Sequence, residues 1–234
     1  MQHKTFGTLI GSYGKGIADS ATVNFAPSGG KHCDDSCALK RAGCYAVQTE
    51  KVKPSVRISL ERRQDRLAEF LTAVSAPKAI AKLQAAPWVR FCAFGSIPAA
   101  QHWTPEAKAS LAKIGAALQG RPVHWPTETL DKAEIIRDAG LLPRVSVGTN
   151  AALVSGIIRA GHVASCVVAG PKRVRGNDLK RKRANSQPAF DFAAELRRQG
   201  VTAKVCPAVA GRAKCGDCTA CARFDVQVIV YPQH

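Results

Sequence analysis

"PRVSVGTNAALVSGIIRAGHVASCVVAG", residues 143–170, reads as strand, helix and strand in one unit. "PRVSVGT" (143–149) is short, apolar and rich in β-branched residues, as a strand requires. "AALVSGIIRAG" (151–161) has helical spacing and ends in glycine, a common helix stop. "HVASCVVAG" (162–170) is a strand again. A helix between two strands implies parallel pairing through a right-handed crossover.

The pattern extends both ways. Upstream, "WVRFCAF" (88–94) reads as a strand and "TPEAKASLAKIGAALQG" (104–120) as a helix. Thr104 suits the N-cap, Pro105 the first helical position and Gly120 the stop. "RPVHWP" (121–126) is the next strand and "TLDKAEIIRDAG" (129–140) the next helix. Downstream, "PAFDFAAELRRQG" (188–200) is a helix and "VTAKVCP" (201–207) a strand. "SATVNFAPSGG" (20–30) supplies an early strand, and "VRISLERRQDRLAEFLTAVSA" (56–76) predicts one long helix. A last apolar run, "VQVIVYP" (226–232), fits a closing edge strand. Six strands of this kind predict an α/β fold, a partial (β/α)6 barrel-like parallel sheet or an open sheet, within a single domain over 1–234. Ligands in such folds sit beyond the carboxyl ends of the strands.

The formal net charge is +17, and hydrophobic residues make up 46% of the chain. The apolar content excludes disorder as the default, and the charge favours polyanionic partners, nucleic acid above all. No apolar run approaches a membrane span, and the opening residues lack the apolar stretch of a signal peptide. The expected setting is therefore cytoplasmic, with no membrane partner.

Seven of the nine cysteines fall in two short segments. In a reducing compartment they point to metal or redox chemistry rather than disulfides, the alternative for a secreted chain. The loop 31–46 holds Cys33, Cys37 and Cys44 after the first strand. The loop 206–223 holds Cys206, Cys215, Cys218 and Cys221 after the sixth. Both are expected at strand carboxyl ends, on one face. The distal C-x2-C-x2-C run suits the separate irons of a four-iron four-sulfur (4Fe-4S) cluster, and four thiolates also suit tetrahedral zinc. Three proximal thiolates can hold a cluster with one iron open, or recruit a fourth ligand from Cys92, Cys166 or His32. Both sets can also serve one cluster, so one or two clusters are expected. Cys92 and Cys166 read equally as buried strand residues.

"CDDSCALKRAGCYA" and "CPAVAGRAKCGDCTACARFDVQVIVYP" resemble the two signatures of an uncharacterised bacteriophage and plasmid family related to a mycobacteriophage gene product. The matching residues are Gly43, Cys44, Tyr45 and Ala46, then Cys206 and Pro207, then Cys215, Cys218, Cys221, Ala222 and Arg223. "VRFCAFGSIP" resembles that family's central strand and turn. The resemblance implies iron–sulfur binding. The architecture is also similar to radical S-adenosylmethionine enzymes, which implies radical chemistry; with the charge, the expected substrate is a nucleic acid or nucleotide. Their usual loop is C-x3-C-x2-C, whereas this one is C-x3-C-x6-C, and "AFGSIPAA" stands in place of their glycine-rich turn, departures that put S-adenosylmethionine binding in doubt while leaving the fold and cluster as expectations. The alternative function is a non-catalytic iron–sulfur or zinc protein that binds nucleic acid.

Further candidates lie near strand ends. His124 and Glu128 suit acid–base roles, while Glu128 with Thr127 or Thr129 also reads as a capped helix start. Ser96, Ser146, Thr149 and Asn150 suit a polar ligand or helix caps. "GSYGKG" (11–16) lacks phosphate-loop spacing. The basic loop 170–187 carries Lys172, Arg173, Arg175, Lys180, Arg181, Lys182 and Arg183, a set suited to a phosphate backbone or to a solvated loop. Arg57, Arg62, Arg63 and Arg66 are expected to add charge along the first helix.

Overall fold

The computed structural model describes residues 6, 9–12, 20–25, 54–92, 97–98, 100–168, 186–207, 210, 218, 220–223 and 225–232. Strands and helices alternate as the sequence predicts, giving an α/β fold whose seven-strand parallel sheet is open rather than closed. The chain divides near residue 143 into two compact units.

In the first unit, β1 (Gly11–Ser12) lies antiparallel to β2 (Ser20–Val23). β3 (Trp88–Phe91) and β4 (Val123–Thr127) follow β2 in parallel register. The links carry α1 (Pro54–Asp65), α2 (Leu67–Val74), α3 (Pro77–Ala85) and α4 (Pro105–Ala117), and α5 (Leu130–Asp138) follows β4. Alternation sends Ala21, Val23, Val89, Phe91, Val123 and Trp125 to one sheet face. They join Phe70, Leu71, Leu111, Ile114 and Ile136 from the helices in one buried cluster. Phe91 and Trp125 stack at 4.3 Å across neighbouring strands, and Phe25 meets Trp125 edge-on.

Helix punctuation is where the sequence puts it. The Thr104 side chain accepts from the Ala107 N–H at 3.3 Å, with Pro105 opening α4. Gly140 follows α5 at φ +76, a left-handed geometry that costs glycine little. There the Gly140 N–H donates to Arg137 and the Leu141 N–H reaches back to Ile136, satisfying two terminal carbonyls. The long helix expected over 56–76 is a correction: it divides at Arg66, whose φ of −120 and ψ of 46 leave the helical region. The break lets α2 bury Leu67, Phe70, Leu71, Ala73 and Val74, while α1 buries only Leu60, Arg63 and Gln64.

The second unit contains β5 (Pro143–Val147), α6 (Ala151–Arg159), β6 (Val163–Val168), α7 (Gln187–Arg198), β7 (Ala203–Val205) and β8 (Val228–Pro232). Its strands are all parallel, in the order β5-β6-β8-β7. The run expected to close the sheet as an edge is therefore interior: β8 pairs with β6 on one side and β7 on the other. The physical reason is composition. β8 is apolar and almost wholly buried, as an interior parallel strand must be, while β7 is short and carries exposed Lys204. Among the described residues no helix is long and apolar enough to cross a membrane.

Candidate metal centre

The second unit gathers part of the distal cysteine set. Cys206 directly follows β7, and Cys221 lies in a short 3-10 turn, Ala220–Ala222. Cys206, Ala220, Val226 and Ile229 form a buried cluster, with Cys218, Cys221 and Tyr231 packed against it. Among the described residues, none from α6 or α7 belongs to that cluster. The thiols of Cys206, Cys218 and Cys221 thus lie over the strand face that carries Ile229 and Tyr231. The Cys221 Sγ and the Tyr231 hydroxyl are 3.0 Å apart. Burial, and then the Cys221 thiol beside it, push the Tyr231 hydroxyl well above the usual tyrosine range.

Arg144, at the start of β5, ties this cysteine segment to the sheet. It is fully buried. Its Nε donates to the Cys221 carbonyl. Its Nη2 lies 3.1 Å from the Ala220 carbonyl, 2.7 Å from that of Arg223 and 2.9 Å from that of Val226. Nη1 reaches the Ala164 carbonyl of β6 at 3.3 Å. One planar fork therefore holds both strands and the turn, which a single ammonium cannot do. Burial lowers the Arg144 pKa, while the nearby Tyr231, Cys221 and Asp225 oppose that shift. Among the described residues no carboxylate bonds to this guanidinium. Arg144 is not among the candidate residues named from the sequence. The available signal was a lone arginine inside an otherwise apolar strand, which must find buried partners.

The donor set has the chemistry of a thiolate metal site, but it is incomplete as described. Among the described residues no three Cys, His, Asp or Glu side chains are grouped closely enough to hold a metal. Cys215 lies outside the described residues, as do Cys33, Cys37, Cys44 and His32. Cys92 and Cys166 are buried thiols. Burial pushes Cys166 up to about 12 and raises Cys92 further, the carboxylate of Glu128 adding to the latter. Both suit core packing better than ligation, which needs thiolate.

The other candidates separate. His124 sits within β4 rather than at its end, and is buried. Glu128 forms a part-buried ion pair with Lys132 at 3.3 Å. Neither Thr127 nor Thr129 caps the following helix through its side chain: Thr127 ends β4, and Thr129 holds the N-cap position with no cap hydrogen bond. Cys92, just past β3, has φ +50, a strained geometry for a residue with a Cβ. The Ser146 and Ser165 hydroxyls are 3.1 Å apart across β5 and β6, and Asn150 caps α6 by accepting from the Leu153 N–H.

The basic patches also divide. Lys172, Arg173, Arg175, Lys180, Arg181, Lys182 and Arg183 lie outside the described residues, as does Ser96. On α1, Arg57 pairs with Glu61, and Arg66 just beyond pairs with Glu69. Arg63 does not add to a basic surface. It is buried, donating to the carbonyls of Asn24 at 2.6 Å and Phe6 at 3.1 Å and lying 5.3 Å from the Phe70 ring centre. Comparison of the chain with protein-family models, with curated proteins and with solved structures finds no match.

Proposed function

We propose that the segment 206–223 binds an iron–sulfur cluster through Cys206, Cys215, Cys218 and Cys221, within a protein that binds nucleic acid. The observation that carries this reading is the buried Arg144 guanidinium, hydrogen-bonded to the carbonyls of Ala220, Cys221, Arg223 and Val226. A fully buried cation without a bonded carboxylate is costly unless negative charge lies close by. Deprotonated thiolates, and a thiolate-ligated cluster still more, supply that charge at the place where the guanidinium is fixed. Tyr231 supports the same reading, since its hydroxyl is placed to donate to the Cys221 sulfur, and such bonds tune cluster potentials.

The loop 31–46 supplies a second set of three thiolates in this reading, for a second cluster or for the open iron of a radical-type enzyme. The likeness of both cysteine signatures to the bacteriophage and plasmid family points the same way. Zinc in the distal site is the competing assignment, because four thiolates satisfy it equally. The test is anaerobic purification with iron, sulfide and zinc counted per chain, together with an absorption spectrum. Roughly four or eight irons with matching sulfide give one or two clusters. About one zinc and no colour replaces the cluster with a structural metal. Neither metal sinks the site. Cys218→Ala is expected to lower metal content and the unfolding midpoint together, because loss of one ligand opens the site. Full metal content in that variant would refute the ligand assignment.

A further inference from the structure

The first unit holds a row of polar side chains that the metal site does not use. Thr22 of β2 is in register with Arg90 of β3, and Arg90 with His124 of β4. Alternation puts all three on one sheet face, opposite Val23, Phe91 and Trp125 and opposite the cluster that includes α2, α3, α4 and α5. Trp88, two residues before Arg90, is on the same face and is also absent from that cluster. Thr22 is 3% exposed and Trp88 8% exposed. The Thr22 hydroxyl, the Trp88 indole N–H and the Arg90 Nε are buried without a hydrogen-bond partner. Three such atoms on one small patch are unusual, since buried polar groups are nearly always satisfied. Indole and guanidinium only donate, and a hydroxyl donates when offered an acceptor. The described residues of the row include no carboxylate.

We propose that this row binds an oxyanion, in the form of a phosphate group. Neighbouring strands lie about 4.8 Å apart, so the donors of the row are spread over about 10 Å, a separation that the oxygens of one phosphate ester can bridge. Arg90 as a whole is only partly buried, although its Nε is buried. Its guanidinium supplies the charge, while Thr22 and Trp88 supply neutral donors. His124 is the next residue of the row, in register with Arg90. The row requires none of the cysteines, so it stands or falls independently of the metal reading.

The experiment is titration of the whole protein with inorganic phosphate, followed by phosphorus NMR and by the unfolding midpoint, with a nucleoside 5′-monophosphate as the ester probe. Saturable binding that raises the midpoint is expected. Arg90→Met should weaken it about a hundredfold and Thr22→Val about tenfold, as for loss of a charged and a neutral donor to an anion. Thr22→Val keeps the shape of the side chain and removes an unsatisfied hydroxyl. Without phosphate its midpoint should therefore equal or exceed that of the parent protein, which separates a binding role from a structural one. Tighter binding of the monophosphate than of free phosphate would assign the row to a phosphate ester, and equal binding to the free ion. No saturable binding, or undiminished binding by both variants, would overturn the proposal and leave phosphate to the general basic surface.

Discussion

At Arg144 a guanidinium has no access to solvent, and its forked N–H groups meet carbonyls from residues 164 to 226. Removing it exposes no charge but strands several buried acceptors at once. Arg144→Met is therefore expected to cost about 3 kcal/mol, in the range for one half of a buried charged network. Arg144→Lys should recover only part of that, because one ammonium cannot reach acceptors spread along the turn. Urea unfolding checks both, and an Arg144→Lys variant as stable as the parent protein would show that charge, not the fork, matters. In both, metal retention should fall with the turn geometry. None of this is visible from residue type alone: Arg63 and Arg144 look like surface charge in the sequence, yet both are packed against carbonyls.

Among the elements, α4 and α5 approach more closely than a side chain allows. A Cβ on Gly115 would lie 1.7 Å from the Ala139 carbonyl oxygen and 2.9 Å from its carbon. Both are backbone atoms and cannot rotate away. Gly115→Ala should separate the helices and destabilise the first unit by about 2 kcal/mol, a typical cost of overpacking. Gly140→Ala is a useful contrast. Nothing stands within 4 Å of that position, so only the positive φ opposes the new methyl, at about 1 kcal/mol. Thermal unfolding of the pair ranks steric contact against backbone strain; a larger loss at Gly140 would contradict the packing. The stop at Gly140 was legible in the sequence, because a helix end is a local pattern. The need for glycine at 115 was not, because it depends on a neighbour 24 residues along, Ala139.

For the molecule as a whole, the dominant quantity is charge. At +17, electrostatic attraction to phosphate backbones acts over several ångströms and weakens with salt. Replacing Lys180, Arg181, Lys182 and Arg183 by Ala should weaken binding to a nucleic acid duplex and flatten its salt dependence by up to about four units of slope. Binding measured across a salt series decides this, and an unchanged slope assigns the run to solvated surface. The engaged arginines of α1 and its end, paired with Glu61 and Glu69 or buried like Arg63, contribute less than their number suggests.

The sequence by itself determined the alternation of strands and helices, the cap at Thr104 and the stops at Gly120, Gly140, Gly161 and Gly200, all four of which take positive φ; Asn150 read equally as a ligand contact or a cap, and the structure makes it a cap. The sequence also marked Cys206 as following a strand. These features follow from periodicity and backbone preference within a few residues. Only the tertiary structure decided that β8 lies between β6 and β7, that Arg66 interrupts a helix, and that Arg144 reaches the cysteine segment. It alone aligned Thr22, Arg90 and His124 in one row. Those outcomes depend on partners far along the chain, as in the separation of 82 residues between Arg144 and Val226. Strand order and the burial of charge are settled by which surfaces exclude water together, and a local pattern can mark a buried strand or arginine without naming its partners.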